Sequence, residues 1–352
     1  MKRITVIILI CFLIPVSVLA YEIPEISGYD MFTSTAKEIS SGSFTLNPVQ
    51  IFNNIISSVT SEIKSFSVTA AAILVMALLS STIKTLNSAL GDRVSGDAAF
   101  FTFFTVISGL ALSCFSKALG YGIDVISHMT NFMGKLTPVI IVTLFACCKS
   151  ASAAALQPVL STAVLIVSEI INRCLVPLIS FSAVLSVAGN VGEKTGISGF
   201  VKIVKSSTKW IMALVITVFT GVNTIYGFAS PALDAVGAKT LKFAVGSLVP
   251  VVGGFLSDTL DTVAASGAVV KNAVGASGIV MMCIICVTPI IKLAVMQLMF
   301  KLISAITEPI ADKRISAMLW GMSDAIVAVF GVVVLTAVMF TINICIILRF
   351  TA

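Results

Sequence analysis

Residues 66–83 have the sequence FSVTAAAILVMALLSSTI, an apolar stretch without a charged residue. An uninterrupted apolar stretch of about 18 residues or more is typical of a transmembrane helix, because about 20 helical residues cross the hydrocarbon core of a bilayer. Backbone groups in lipid must satisfy their hydrogen bonds within the segment, so the stretch is expected to be helical. It predicts the first complete membrane span.

The composition extends this prediction to most of the chain. Of the 352 residues, 58% are hydrophobic and only 11% are charged, and the mean hydropathy is +1.10. Soluble domains carry about 25% charged residues. These values exclude an ordinary cytosolic enzyme and a disordered chain. The net charge of +6 is no sign of nucleic-acid binding, because basic residues mostly punctuate apolar stretches. We predict an all-α, polytopic transmembrane helix bundle.

The N-terminus has the layout of a secretory signal peptide. Lys2 and Arg3 precede an apolar stretch, and Val-Leu-Ala at 18–20 suits a cleavage site. We therefore predict a signal peptide over 1–20, with an uncleaved signal anchor as the alternative. Residues 21–65 are expected outside the cytoplasm and to include an amphipathic helix that starts near Pro48. The membrane domain is predicted to cover 66–352.

The pattern of apolar stretches predicts about six full spans plus two short interrupted hairpins, at 134–160 and 246–276. These stretches are too short or too broken to cross a bilayer comfortably. The hairpins are either re-entrant or complete crossings. The re-entrant scheme places the basic loops 84–97, 188–209 and 301–318 together in the cytoplasm, which the positive-inside tendency favours.

Similar segments recur at a nearly constant offset. Gly-Lys-Leu-Thr-Pro at 134–138 resembles Gly-Ser-Leu-Val-Pro at 246–250, and Trp210 and Trp320 occupy comparable places further along. This recurrence predicts an internal duplication with units at 134–245 and 246–352. Interrupted segments at matching places in two repeats indicate a substrate site in some transporters.

Glu169 and Arg173 form one candidate intramembrane polar site. They are four residues apart, so they share a helix face and can form an ion pair. Charged residues inside a span are candidates for function. The alternative is a purely structural pair, or a span end at which Arg173 reaches the interface.

Asp258, Asp261 and Lys271 form a second candidate, a polar site in the second hairpin. The paired carboxylates are suited to binding a cation or carrying protons, although a polar hairpin turn is the preferred interpretation. Residues 117–135, including the single histidine His128, are expected at the membrane interface. Other charged residues are expected near span ends, where water solvates them: Lys292, Glu308, Asp312 and Asp324.

Motifs for enzymatic chemistry are absent from the sequence. The eight cysteines and one histidine show no metal-ligand spacing, and no nucleotide, nucleophile-elbow or zinc-protease motif is present. We therefore expect no metal, no cofactor and no enzymatic activity.

Several segments together resemble the stage III sporulation protein AE family of endospore-forming bacteria. The resemblance runs from about residue 44 to the C-terminus, and 246–278 is its most specific part. It is carried by SKALGYGIDVI at 116–126, KLTPVIIVTL at 135–144, GSLVPVVGGFLSDTLDTV at 246–263, KNAVGASG at 271–278 and TPIIKL at 288–293.

The resemblance implies a multi-pass subunit of the mother-cell membrane around the forespore. Its implied partners are the stage III sporulation proteins AA to AH and stage II sporulation protein Q, in a channel or secretion-like complex that late forespore development requires. A homo-oligomer is compatible with this role, and no catalytic residue follows from the family's motifs. The residues alone leave a second interpretation open, a secondary transporter that moves a small solute through the two hairpins.

Overall fold

The computed structural model describes residues 48–89, 93–146, 150–191, 198–248 and 253–349, and these ranges are almost entirely helical. Six of the helical stretches are long and apolar enough to cross a membrane, which confirms the predicted multi-pass helical class. The elements are α1 (Pro48–Ala89), α2 (Arg93–Ala146), α3 (Ser150–Ile170), a π-helical turn (Ile171–Leu175), α4 (Val176–Ala188), α5 (Ser198–Leu248), α6 (Gly253–Thr307) and α7 (Lys313–Arg349).

The helices are longer than the apolar stretches predict. Helix α2 has 54 residues, about 81 Å at 1.5 Å per residue, against a hydrocarbon core of about 30 Å. It runs through 98–116, through the expected interface segment 117–135 and into the predicted hairpin 134–160. Helix α6 likewise continues from the hairpin 246–276 into the following span. The hairpin arms are therefore the ends of long helices, and their turns lie outside the described residues.

The first span and the predicted amphipathic helix form one continuous helix, α1. The described part of α1 begins at Pro48 and passes without a break through the proposed boundary at 65/66. Proline suits the first turn of a helix because the amide hydrogen it lacks would have no partner there. The predicted signal peptide at 1–20 lies outside the described residues.

Helix α7 lies at the centre of the bundle. In an 18-residue apolar stretch of α7, 56% of the residues are buried, against 22–39% in the corresponding stretches of the other five candidate spans. It packs antiparallel to α6, where the Ser304 hydroxyl donates to the Ser316 carbonyl at 2.9 Å. It runs parallel to α2 and α5, because contacts advance along both helices in the same direction.

Glycines allow the helices to approach α7 closely. A Cβ atom on Gly122 of α2 would lie 2.5 Å from Cγ1 of Val329, and one on Gly321 would lie 2.7 Å from Cβ of Ser186 in α4. Small residues at such contacts are typical of helix packing in membranes, where close van der Waals contact replaces the hydrophobic driving force.

Three predicted loops meet at one end of the bundle. Lys84 near the end of α1, Val191 after α4 and Asp312 before α7 take part in one network of contacts. The structure thus brings one residue of each predicted loop, Lys84, Val191 and Asp312, to the same end of the bundle. Their location in the cytoplasm stays a prediction. We call this end the junction end.

Candidate functional site

A charged cluster joins four segments at the junction end. Lys84 donates a hydrogen bond to Oδ2 of Asp312, and Arg314 donates to both carboxylate oxygens at 3.3 Å. The Arg314 guanidinium lies 3.9 Å from the centroid of the Phe100 ring, and its Nη1 donates to the Val191 carbonyl at 3.4 Å. We call Lys84, Phe100, Asp312 and Arg314, with the Val191 carbonyl, the junction cluster. It ties α1, α2, the end of α4 and α7 together.

Asp312 also caps α7. Its Oδ1 accepts the backbone N–H of Arg314 at 3.0 Å, which satisfies one free donor of the first helical turn. Burial of the carboxyl group acts to raise its pKa, but the hydrogen bonds from Arg314 and Lys84 outweigh burial and lower the pKa from 3.8 to about 2. The carboxylate is therefore ionised at neutral pH and holds both cations.

A second interhelical ion pair joins α5 to α7. Nζ of Lys205 donates to Oδ2 of Asp324 at 2.8 Å, and both side chains are partly buried. Asp324 was expected to be solvated at a span end, whereas it lies about three turns inside α7. A partner 119 residues away leaves no local signal in the sequence, so the pairing could not be predicted.

A third group of polar side chains comes from α1, α2 and α6. The largely buried Glu62 interacts electrostatically with Lys117 and Lys292. Nζ of Lys292 lies 4.9 Å from the centroid of the Tyr121 ring, a cation–π distance. Lys292 is therefore held between helices rather than free in solvent at a span end.

The predicted ion pair between Glu169 and Arg173 is present, and it lies on the outer surface of the bundle. Nε of Arg173 contacts Oε1 of Glu169 one turn away, and the two side chains remain 80% and 57% exposed respectively. Arg173 lies in the π-helical turn, a feature frequent at functional sites. The geometry nevertheless matches an exposed pair, and no described helix contributes a further partner to it.

The second predicted site is spread along one helix. Asp258 and Asp261 lie in the first three turns of α6, which corrects the preferred interpretation of a polar turn, because the helix already begins at Gly253. The structure describes the backbone but not the side chains of Asp258 and Asp261. Lys271 lies further along α6 with its side chain fully buried. Whether these three residues act together stays a prediction.

Metal-ligating side chains do not converge in the described part of the chain. No group of three or more His, Cys, Asp or Glu residues there could hold a metal ion. Sγ of Cys286 packs 3.2 Å from Sδ of Met129, and the described cysteines form no disulfide with one another.

Long, closely packed apolar helices joined by a few interhelical ion pairs define the molecule as a multi-pass helical membrane protein. The sequence model of the family described as stage III sporulation protein AE matches residues 31–351. The chain belongs to the stage III sporulation protein AE family.

A curated relative supports this assignment. The stage III sporulation protein AE of Bacillus subtilis (strain 168) is 24% identical over 311 residues, which cover 88% of this chain and 78% of the relative. No solved structure matches the chain. The family places the protein in sporulation.

Proposed function

We propose that the protein is an integral membrane subunit of a channel or secretion-like complex that connects the mother cell and the forespore during sporulation. Family membership over 31–351 carries this proposal, because the match covers all the described helices. The proposed location is the mother-cell membrane around the forespore. The proposed partners are the other stage III sporulation A-operon proteins, AA to AH, and stage II sporulation protein Q.

The architecture supports a packed scaffold. Gly122, Gly278 and Gly321 allow neighbouring helices to make contacts that a Cβ atom would obstruct, and the junction cluster ties four segments together at one end. Such a bundle is suited to holding a fixed shape within an assembly. The basic residues of the junction end favour its placement in the mother-cell cytoplasm.

A complementation experiment with co-purification tests this proposal. The gene is deleted in its sporulating host and replaced by a tagged full-length copy. We expect arrest of late forespore development in the deletion strain, rescue by the tagged copy and co-purification of the proposed partners from engulfed cells. Normal spore formation in the deletion strain would contradict a required role. Rescue without any co-purified sporulation protein would contradict membership of the complex.

A secondary transporter of small solutes is the second candidate. The fully buried Lys271 favours it, because ionisable residues inside membrane helices often line substrate pathways. The π-helical turn at Ile171–Leu175 adds support, because such turns are frequent at functional sites. This candidate predicts solute uptake by the purified protein alone in liposomes. An Arg173→Gln or Lys271→Met variant should then lower uptake with unchanged reconstitution, and the absence of uptake by the wild-type protein would exclude it.

A further inference from the structure

Helices α2 and α5 carry exposed faces of opposite polarity at the same depth of the bundle. On α2 the exposed residues Asp124, His128, Asn131 and Lys135 follow spacings of four, three and four, which places them on one helix face. We call them the polar stripe. On α5 the apolar stripe consists of four residues with exposures from 38% to 69%, at spacings of four, four and three: Leu214, Val218, Val222 and Ile225.

Contacts with α7 show that the two stripes lie at the same depth. Gly122 of α2 packs against Val329, and Gly331 packs against Met212 of α5, where Cβ atoms would come within 2.5 Å and 2.9 Å of the facing side chains. Both helices run parallel to α7, so the residues that follow Gly122 and Met212 advance together. Each stripe then extends over about 17 Å of helix.

A single surrounding medium does not suit both stripes. In lipid, the polar stripe would place an aspartate, a histidine and a lysine against hydrocarbon, which disfavours charged and polar side chains. In water, the apolar stripe would expose four large aliphatic side chains, a patch that proteins normally cover. The different polarity of the two faces therefore indicates lipid on the α5 side and water on the α2 side.

The neighbouring helix also carries exposed polar residues. Helix α1 runs antiparallel to α2, with Lys84 near Phe100 and Thr69 near Cys114, so 57–64 lies beside the stretch of α2 that follows Lys117. Its exposed residues in this stretch are mostly polar and include Ser57, Thr60, Ser61 and Lys64. Helix α1 thus carries exposed polar residues at a depth that adjoins the start of the polar stripe.

We propose that the polar stripe of α2 lines a water-filled passage for small hydrophilic solutes, while the apolar stripe of α5 contacts lipid at the same depth. This inference rests on the proposed function and names the part of the subunit that faces the conducted material. The mixed charges of Asp124 and Lys135 suit water and solutes of either sign.

Thiol labelling tests whether water reaches the polar stripe. Single cysteines replace His128, Asn131, Leu214 or Val218 in a cysteine-free full-length chain, which is reconstituted in liposomes and exposed to a charged methanethiosulfonate reagent. We expect the α2 positions to react roughly ten times faster than the α5 positions, because hydrocarbon excludes the reagent. Equal rates on the two helices would overturn the proposal.

The unmodified protein provides a second measurement should the cysteine-free chain fail to fold. His128 is the single histidine, so carbethoxylation by diethyl pyrocarbonate is read at one site by mass spectrometry. We expect complete modification in intact liposomes at a rate close to that of a free histidine peptide. Protection of His128 would overturn the proposal.

Tryptophan substitutions test whether the polar stripe lines a passage for solutes. Asn131→Trp should lower spore formation because it narrows the passage, whereas the matched Leu214→Trp should not, at equal protein levels. Normal sporulation with Asn131→Trp would contradict a passage even if the stripe is labelled. If the deletion strain itself sporulates normally, the proposed function fails instead, so the two failures are distinguishable.

Discussion

Replacing Asp312 with asparagine should destabilise the protein by about 2 kcal/mol at neutral pH. The junction cluster lowers the pKa of this carboxyl group from 3.8 to about 2, and each pKa unit corresponds to about 1.4 kcal/mol of preference for the charged form. The variant keeps the size of the side chain but removes the charge that holds Lys84 and Arg314. Unfolding of the full-length protein by SDS titration in mixed micelles measures the loss.

The matched control is Glu308→Gln, an equivalent change at an exposed position in the same connection between α6 and α7. It should change the free energy of unfolding by less than about 0.5 kcal/mol. A Lys84→Met variant combined with Asp312→Asn should show a coupling energy of about 1 kcal/mol. If Asp312→Asn behaves like Glu308→Gln, the junction cluster does not stabilise the fold and the reasoning is refuted.

The same cluster gives a pH dependence with a definite sign. Because the folded-state pKa of Asp312 lies below the ordinary value of 3.8, the stabilisation is complete above that value and is lost as the pH falls through about 2. The difference between wild-type protein and Asp312→Asn should therefore shrink in this acidic window. A difference that stays constant down to pH 2 would contradict the assigned pKa.

Three further predictions concern the helix contacts. Gly122→Leu should destabilise the bundle by about 1–3 kcal/mol, because its side chain meets Val329, whereas Gly109→Leu has open space around its Cβ and should be tolerated; thermal unfolding in detergent compares the two. Lys205→Asp should lower the yield of folded protein, and the reversed pair with Asp324→Lys should restore it; failure of the rescue would show that the pair is not coupled. Arg173→Gln should leave sporulation unchanged because the pair it breaks is exposed; a loss at normal protein level would assign this position a function.

The class of fold could be predicted from the sequence because lipid imposes a simple requirement. A charge-free stretch such as 66–83 must be helical when it crosses a membrane, and among the described residues six helical stretches are long and apolar enough to do so. The lengths of the helices could not be predicted in the same way. Polar residues such as Asp124 and His128 lie on one exposed face of α2, and a helix continues past charges that it can direct towards water.

The polar contacts were harder to predict than the helices. The pair of Glu169 and Arg173 was visible because four-residue spacing is a local property. Lys84 and Lys205 are the long-range partners of Asp312 and Asp324, at 228 and 119 residues away. Only the assembly of the helices into a bundle brings these residues together. Hydropathy assigned these aspartates to span ends, because a charged residue lowers the local hydropathy equally whether water solvates it or a partner side chain pairs with it.

The π-helical turn at Ile171–Leu175 sets the rotational phase of the helix that follows it. A π turn contains one residue more than an α turn, and one residue corresponds to about 100° around the helix axis. Val184 and Phe181 of α4 face outwards and Ile179 faces the core with this extra residue in place. Deleting Asn172 would rotate α4 relative to α3 about the common helix axis. Buried and exposed positions would then change places in one of these two helices. The segment should therefore tolerate many substitutions but not a change of length.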